Sequence, residues 1–322
     1  MQAIRFDETG GPEVLKLERL PEPSPGPGQV TVDIAAIGVN FVDTYHRSGL
    51  YPVTLPSGLG AEAAGTIRAV GDGVTGFTEG DRVAFSAGMG AYATQMVQEA
   101  DRLVPVPEDL DLEIAAAVML QGMTAHYLTH STASLDRDDT ILIYGAAGGV
   151  GRLLIQLAKR RGARVLACTS TDEKVEVARA LGADEVIRYR DVDVADTVRE
   201  LTDGVGVDVV YDGIGADTWQ GSLDALKRRG LAVFFGNASG PVPPLDLQVL
   251  SQKGSLVTTR PTLVHYIATR DELLWRAGSL FELIRQGKLD VSIYRRYPLD
   301  EAARAHRDLE SGATAGKLLL VP

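Results

Sequence analysis

The sequence predicts an α/β protein of two domains, one β-rich and one built on a doubly wound parallel sheet. Three observations carry that expectation. The chain has 322 residues, and one domain takes up ~150. Its first ~125 residues are short β-favouring runs separated by Gly and Pro. From Thr140 onward, strands alternate with helices, a pattern that demands parallel strands covered on both faces.

Taken in order, residues 2–6, 29–37, 63–70, 82–85 and 92–97 combine β-branched and apolar residues and read as strands. Residues 21–28 hold four prolines and two glycines and read as an extended loop between strands. The second grammar places strands at 140–144, 164–169, 185–187, 207–211 and 231–235. Helices are expected at 150–161, 172–181, 194–202 and 216–228. A long helical pattern covers 263–285, a short helix 299–310, and a terminal strand 317–321 belongs with the first domain. The expected division is 1–125 with 266–322, and 126–265.

Composition narrows the function. The chain is 45% hydrophobic and 23% charged, enough to bury a core and too apolar for disorder. Thirty-two basic against 43 acidic residues give a net charge of −11, which disfavours nucleic acid and anionic membrane surfaces as partners. The single cysteine, Cys168, cannot close an internal disulfide or pair within a CxxC zinc motif. With no secretory leader pattern at the N-terminus and no apolar run of ~18 residues, a cytoplasmic enzyme is expected.

The strand 140–144 runs directly into Gly145-Ala146-Ala147-Gly148-Gly149-Val150-Gly151, and an amphipathic helix follows. Glycine lets backbone approach a pyrophosphate, and the helix N-terminus offers N–H groups and a favourable dipole. The spacing is GxxGxxG instead of GxGxxG, and its placement between strand and helix makes it a dinucleotide site. About 20 residues on, where an NAD-selective site carries a carboxylate, stands Ser170, followed by Lys174; Arg188, Tyr189 and Arg190 come after the next strand. A hydroxyl and a cation there favour a 2′-phosphate, hence NADPH. Asp172 and Glu173 are read as first-turn acids of a helix, the alternative being that either reaches the ribose instead.

Residues 37–45 (Ile-Gly-Val-Asn-Phe-Val-Asp-Thr-Tyr), 58–65 (Gly-Leu-Gly-Ala-Glu-Ala-Ala-Gly), 70–74 (Val-Gly-Asp-Gly-Val) and 80–83 (Gly-Asp-Arg-Val) resemble the medium-chain dehydrogenase/reductases. Residues 40–45 and 47–52 (Arg-Ser-Gly-Leu-Tyr-Pro), the Gly145–Gly151 loop, Phe235-Gly236-Asn237, Thr259-Arg260-Pro261 and Gly316-Lys317 look like the zinc-free NADPH:quinone oxidoreductase (ζ-crystallin-like) branch. The resemblance runs essentially end to end. It implies a GroES-like catalytic domain, a Rossmann cofactor domain and a homodimer, with 254–259 as an exposed edge strand able to pair with its copy. Zinc-dependent relatives have Cys where Asn40 stands and His where Ala61 stands, so no metal is expected. His126 and His130, although four apart, lack the Glu of HExxH.

Carried over position by position, the resemblance puts Asn40, Phe41, Thr44 and Tyr45 at the nicotinamide end, with Thr124 and Tyr127. Gly148, Gly149 and Val150 meet the pyrophosphate, and Ser170, Lys174 and Tyr189 the adenosine phosphate. Gly213, Phe235, Asn237, Arg260 and Lys317 line the far wall. Tyr45 and Tyr51 are the candidate hydrogen-bond donors to a quinone carbonyl, with Asn40 beside them. An enal, enone or enoyl-thioester reductase is the neighbouring alternative, and an RNA-binding or lens-structural protein the non-enzymatic one.

Overall fold

The computed structural model describes residues 1–86 and 88–322, which divide into two compact units: Met1–Met123 with Tyr266–Pro322, and Thr124–His265. The first unit opens with β1 (Gln2–Phe6), β2 (Lys16–Arg19), β3 (Gln29–Val39), β4 (Ser57–Gly58), β5 (Glu62–Val70), β6 (Arg82–Ser86), β7 (Gln95–Glu99) and β8 (Val104–Pro105). β1 sits between β2 and β4, and β3 pairs antiparallel with both β5 and β7. Ile4, Phe6, Val32, Ile37, Leu59 and Phe85 fill the core between them. Burying each such side chain contributes roughly 1.5–3 kcal/mol.

Helix α1 (Phe41–Ser48) follows β3 directly. It starts where it does because Asp43 reaches back to accept the Asn40 backbone N–H at 2.8 Å. Helix α2 (Leu112–Tyr127) is buried along Ala115–Met119, and the division between the units falls within it. The strand expected at 92–97 lies three residues later. Tyr92 bonds its backbone N–H to the Leu59 carbonyl at 2.8 Å, so pairing with β3 begins only at Gln95.

The second unit alternates β9 (Thr140–Tyr144), α3 (Gly149–Arg161), β10 (Arg164–Thr169), α4 (Asp172–Ala180), β11 (Glu185–Arg188), α5 (Val194–Leu201), β12 (Val207–Asp212), α6 (Trp219–Asp224), β13 (Leu226–Phe234), α7 (Leu247–Gln252) and β14 (Val257–Thr259), before α8 (Leu263–Tyr266). The sheet is parallel throughout, in the order β11-β10-β9-β12-β13-β14. Central Ile141, Leu142 and Ile143 are fully buried, as the uninterrupted apolar run requires. The order reverses between β9 and β12, which is the switch point where such sheets take ligands.

Two helical expectations are corrected here. The helix read at 216–228 ends at Asp224, and Lys227-Arg228-Arg229 belong to β13; Lys227 forms an ion pair with Asp208 on neighbouring β12. The pattern at 263–285 breaks after α8, because Thr269 accepts the Glu272 N–H and starts α9 (Arg270–Arg285) afresh. The first unit then closes with β15 (Ile293–Pro298), a single turn at Leu299–Glu301, α10 (Ala302–Glu310) and β16 (Lys317–Val321). β16 lies between β15 and β3. Among the described residues, no helix is long and apolar enough to cross a membrane.

Candidate active site

In the second unit, the sequence-predicted residues gather along one edge. Gly148 caps α3 just beyond β9, with Gly149 and Val150 in the helix's first turn. Ser170, Tyr189, Gly213, Phe235 and Arg260 each come one residue after the carboxyl end of β10, β11, β12, β13 and β14. Five independent strands therefore deliver one candidate each to the same end of the sheet. The glycine loop is tight enough to need its glycines: a Cβ on Gly151 would lie 2.3 Å from the Gly145 carbonyl oxygen and 2.7 Å from the Ala146 Cα. That close packing of loop on helix leaves α3, thirteen residues long, with its N-terminus open to an anionic group.

The end expected to take the adenosine phosphate carries the cations Lys174, Arg188 and Arg190. Lys174, on the first turn of α4, is held below its usual value by burial and by the charge of Arg190. Asp172, one of the two acids in the first turn of α4, is engaged by Arg188, Nη1 to Oδ1 at 2.7 Å. Tyr189 packs edge-on against Tyr144 at 6.2 Å, and Arg190 lies over its ring. Asn237 is buried, and Arg260 bonds the Phe234 carbonyl at 2.8 Å. Thr124 and Tyr127, near the end of α2, are buried as well.

Sequence reasoning missed Asp212 at the end of β12. It is fully buried and accepts four hydrogen bonds: from the Ile214 and Gly215 N–H groups (2.8 and 3.1 Å) and the Thr218 and Ser222 hydroxyls (2.7 and 2.6 Å). It fixes the loop carrying Gly213. The only sequence signal was an acid at the end of an apolar strand.

In the first unit, Tyr45 and Tyr51 meet edge to face at 5.2 Å, Phe41 lies 6.4 Å from Tyr45, and the Thr44 hydroxyl donates to the Phe41 carbonyl at 2.7 Å. Asn40 and Lys317 are placed differently from the expectation of direct ligand contact. Asn40 donates to Glu62 Oε1 at 2.7 Å and to the Gly38 carbonyl at 3.3 Å, while its Oδ1 accepts from Lys317 Nζ (2.7 Å) and Gln121 (3.2 Å). Lys317 also donates to the Val39 carbonyl at 3.1 Å and to Glu62, whose other oxygen accepts the Leu120 N–H. An amide has two donors and two acceptor sites, and an ammonium three donors. All are spent inside the cluster, so Asn40 and Lys317 are holding residues in this arrangement. A Cβ on Gly38 would lie 2.1 Å from Glu62 Oε1, which explains the glycine at that point of β3.

Asp43 is buried in the same unit, at the start of α1. Burial pushes its carboxyl up to about 7, against the pull of hydrogen bonds from Asn40 and Tyr92 and the charge of Lys317. His306, buried beside Arg47, is pushed down to about 3 and is neutral.

Comparisons with known proteins bear on both units. Residues 26–108 match the alcohol dehydrogenase GroES-like domain and residues 149–273 the zinc-binding dehydrogenase family model. The quinone oxidoreductase of Pseudomonas aeruginosa is 50% identical over 321 residues, 99% of each chain. The chain belongs to the quinone oxidoreductase family. The crystal structure of Escherichia coli quinone oxidoreductase complexed with NADPH covers both chains fully with a TM-score of 0.98 at 45% identity. Within the same similarity lies a 2-haloacrylate reductase of Burkholderia sp, 44% identical over 330 residues and spanning 100% of this chain and 99% of its own.

Despite the family model's description, the side chains do not fit zinc. Glu62 faces the Lys317 ammonium, a cation already in place. His126 and His130 stack face to face at 4.0 Å with 3° between ring planes, so their nitrogens do not converge. Among the described residues, no group of three His, Cys, Asp or Glu could hold a metal ion.

Proposed function

We propose that this chain is an NADPH-dependent reductase of quinones or similar conjugated carbonyls, working without zinc. The observation that carries the reading is the row of candidates at the carboxyl ends of the parallel strands, beside an α3 N-terminus opened by close glycine packing. Gly148, Gly149 and Val150 would hold the pyrophosphate, and Ser170, Lys174 and Tyr189 the 2′-phosphate. Like charges at Lys174 and Arg190 suit a group carrying nearly two negative charges. Arg188 engages Asp172, one of the two acids that could instead reach the ribose and favour NADH. Asp212 keeps the Gly213 loop in one conformation beside them.

When bound, the nicotinamide supplies a hydride. The chain's part is to orient and to donate. Phe41, Thr44, Tyr45, Thr124 and Tyr127 are assigned to the nicotinamide end, and Tyr51 and Tyr45 to donating a hydrogen bond to the acceptor's carbonyl oxygen as negative charge develops there. An aromatising product accepts that charge readily, so one phenolic donor suffices and no Lewis acid is needed.

The second reading is reduction of an activated C=C bond, favoured by the 2-haloacrylate reductase at 44% identity. NADPH oxidation against quinones, enones, enoyl thioesters and 2-haloacrylates separates the two. Quinones should give the highest kcat/KM; turnover of 2-haloacrylates alone would overturn the first reading. The protein is further assigned to the cytoplasm and to a homodimer through β14, which ends the parallel sheet and exposes Val257. Light scattering at micromolar concentration should give twice 34.4 kDa.

A further inference from the structure

Both ends of helix α1 are tied into one buried chain of hydrogen bonds. At its outer end Arg47 grips Glu310, with Nη2 to Oε1 at 2.6 Å and Nη1 to Oε2 at 3.1 Å, while Nε donates to the Gly10 carbonyl at 3.1 Å. Arg47 Nη1 also lies 2.9 Å from His306 Nδ1, and His306 Nε2 lies 3.1 Å from Tyr92 Oη. Tyr92 Oη is 2.9 Å from Asp43 Oδ2, the same oxygen that accepts the Asn40 N–H opening the helix. Arg47, His306, Tyr92 and Asp43 are each at most 3% exposed.

The chain has only one polarity. A guanidinium donates and never accepts, so His306 Nδ1 must be the bare nitrogen and the ring proton sits on Nε2. Nε2–H therefore donates to Tyr92, and the phenol is left to donate to Asp43. The three links come from α1, the loop before β7, and α10, with His306 214 residues from Tyr92 and 259 from Arg47. Well-packed apolar side chains would serve stability at least as well as this network. What a fully satisfied polar chain adds is a single allowed arrangement.

We propose that Tyr92 and His306 are positioning residues for the reduction: through Asp43 and Arg47 they hold helix α1 in the one orientation that presents Thr44 and Tyr45. The inference rests on the assignment of those two residues to the nicotinamide end. Neither Tyr92 nor His306 touches substrate or cofactor; each acts through α1.

The test compares three variants of the full chain. His306→Gln retains an acceptor toward Arg47 and a donor toward Tyr92, His306→Leu retains neither, and Tyr92→Phe keeps the ring and cuts the link to Asp43. Each is measured for NADPH Kd by fluorescence, for kcat and KM with a quinone, and for amide hydrogen exchange across residues 41–48. Misplacing a reacting group by about 1 Å costs up to ~100-fold in rate. His306→Leu and Tyr92→Phe should therefore lose roughly 10–100-fold in kcat, with NADPH Kd within about threefold of wild type and faster exchange confined to 41–48. His306→Gln should recover most of both. Unchanged kcat in Tyr92→Phe, a glutamine no better than leucine, or faster exchange spread evenly over the chain would overturn the proposal. A wild type inactive on every quinone would overturn the functional reading instead, and the exchange comparison of glutamine with leucine would still decide whether the chain holds α1.

Discussion

Replacing Lys317 by Met tests the buried cluster most sharply. The ammonium is 2% exposed and donates to Val39, Asn40 and Glu62; Glu62 is fully buried. Methionine keeps most of the volume and removes the charge. Glu62 then has only neutral donors, the Asn40 amide at 2.7 Å and the Leu120 N–H, with no cation against it. Breaking a buried pair from one side costs ~3–5 kcal/mol. At ~2–4 °C per kcal/mol for domains of this size, Tm falls by roughly 6–20 °C. Glu62→Gln strands the ammonium and should cost a similar amount. The double variant leaves no buried charge, so it should fall short of the sum of the singles by roughly 2–3 kcal/mol. Urea unfolding followed by near- and far-UV circular dichroism measures all four forms. Additive losses, or a Lys317→Met loss below about 1 kcal/mol, would refute the view that the pair's charges are desolvated together.

Three further outcomes are expected. Lys174→Ala should weaken NADPH by about 10–100-fold, one charge-assisted hydrogen bond, and leave NADH nearly unchanged; parallel fluorescence titrations check this, and equal weakening of both would move Lys174 to a structural role. Activity should survive EDTA in full, with less than stoichiometric zinc by elemental analysis, because Lys317 already faces Glu62. Stability should carry an acid-sensitive component from His306. Its folded value of about 3 lies below the unfolded 6.5, so unfolding takes up a proton and stability is lost as pH falls through that window, by about 1.4 kcal/mol per pH unit near pH 5. Asp43 acts with the opposite sign, its cost growing as pH rises from 3.8 to about 7. Urea midpoints across pH should show His306→Gln losing the first slope and Asp43→Asn the second.

The parallel-sheet unit is legible because parallel strands buried on both faces leave continuous apolar runs; β9 and β10 lie at the expected residues. β13 reads as a helix end because its first residues are cationic, and Lys227 is paired with Asp208 on the neighbouring strand, which no local pattern records. The break at Thr269 did have a local signal, Thr269-Arg270-Asp271-Glu272, a capping box inside an otherwise helical period. The buried first part of helix α2 leaves no periodic signal for the reverse reason: Ala115–Met119 is apolar on every side. The polar clusters were the least legible part. Glu62 and Lys317 are 255 residues apart, and Arg47 and His306 are 259, so neither pairing leaves a trace in spacing.

The position of β16 has a consequence for synthesis on the ribosome. The first unit is made of the chain's two ends, with the whole parallel-sheet unit inserted between them, and β16 is an inner strand of its large sheet. As the chain emerges, β3, β5 and β6 can pair, yet the Glu62 carboxylate waits for a counter-charge that is translated 255 residues later. The inserted unit, Thr124–His265, has all six of its strands translated before Lys317. Maturation is therefore vectorial, parallel-sheet unit first, and a nascent chain arrested short of Lys317 would carry a finished parallel sheet and a first unit still open at its edge.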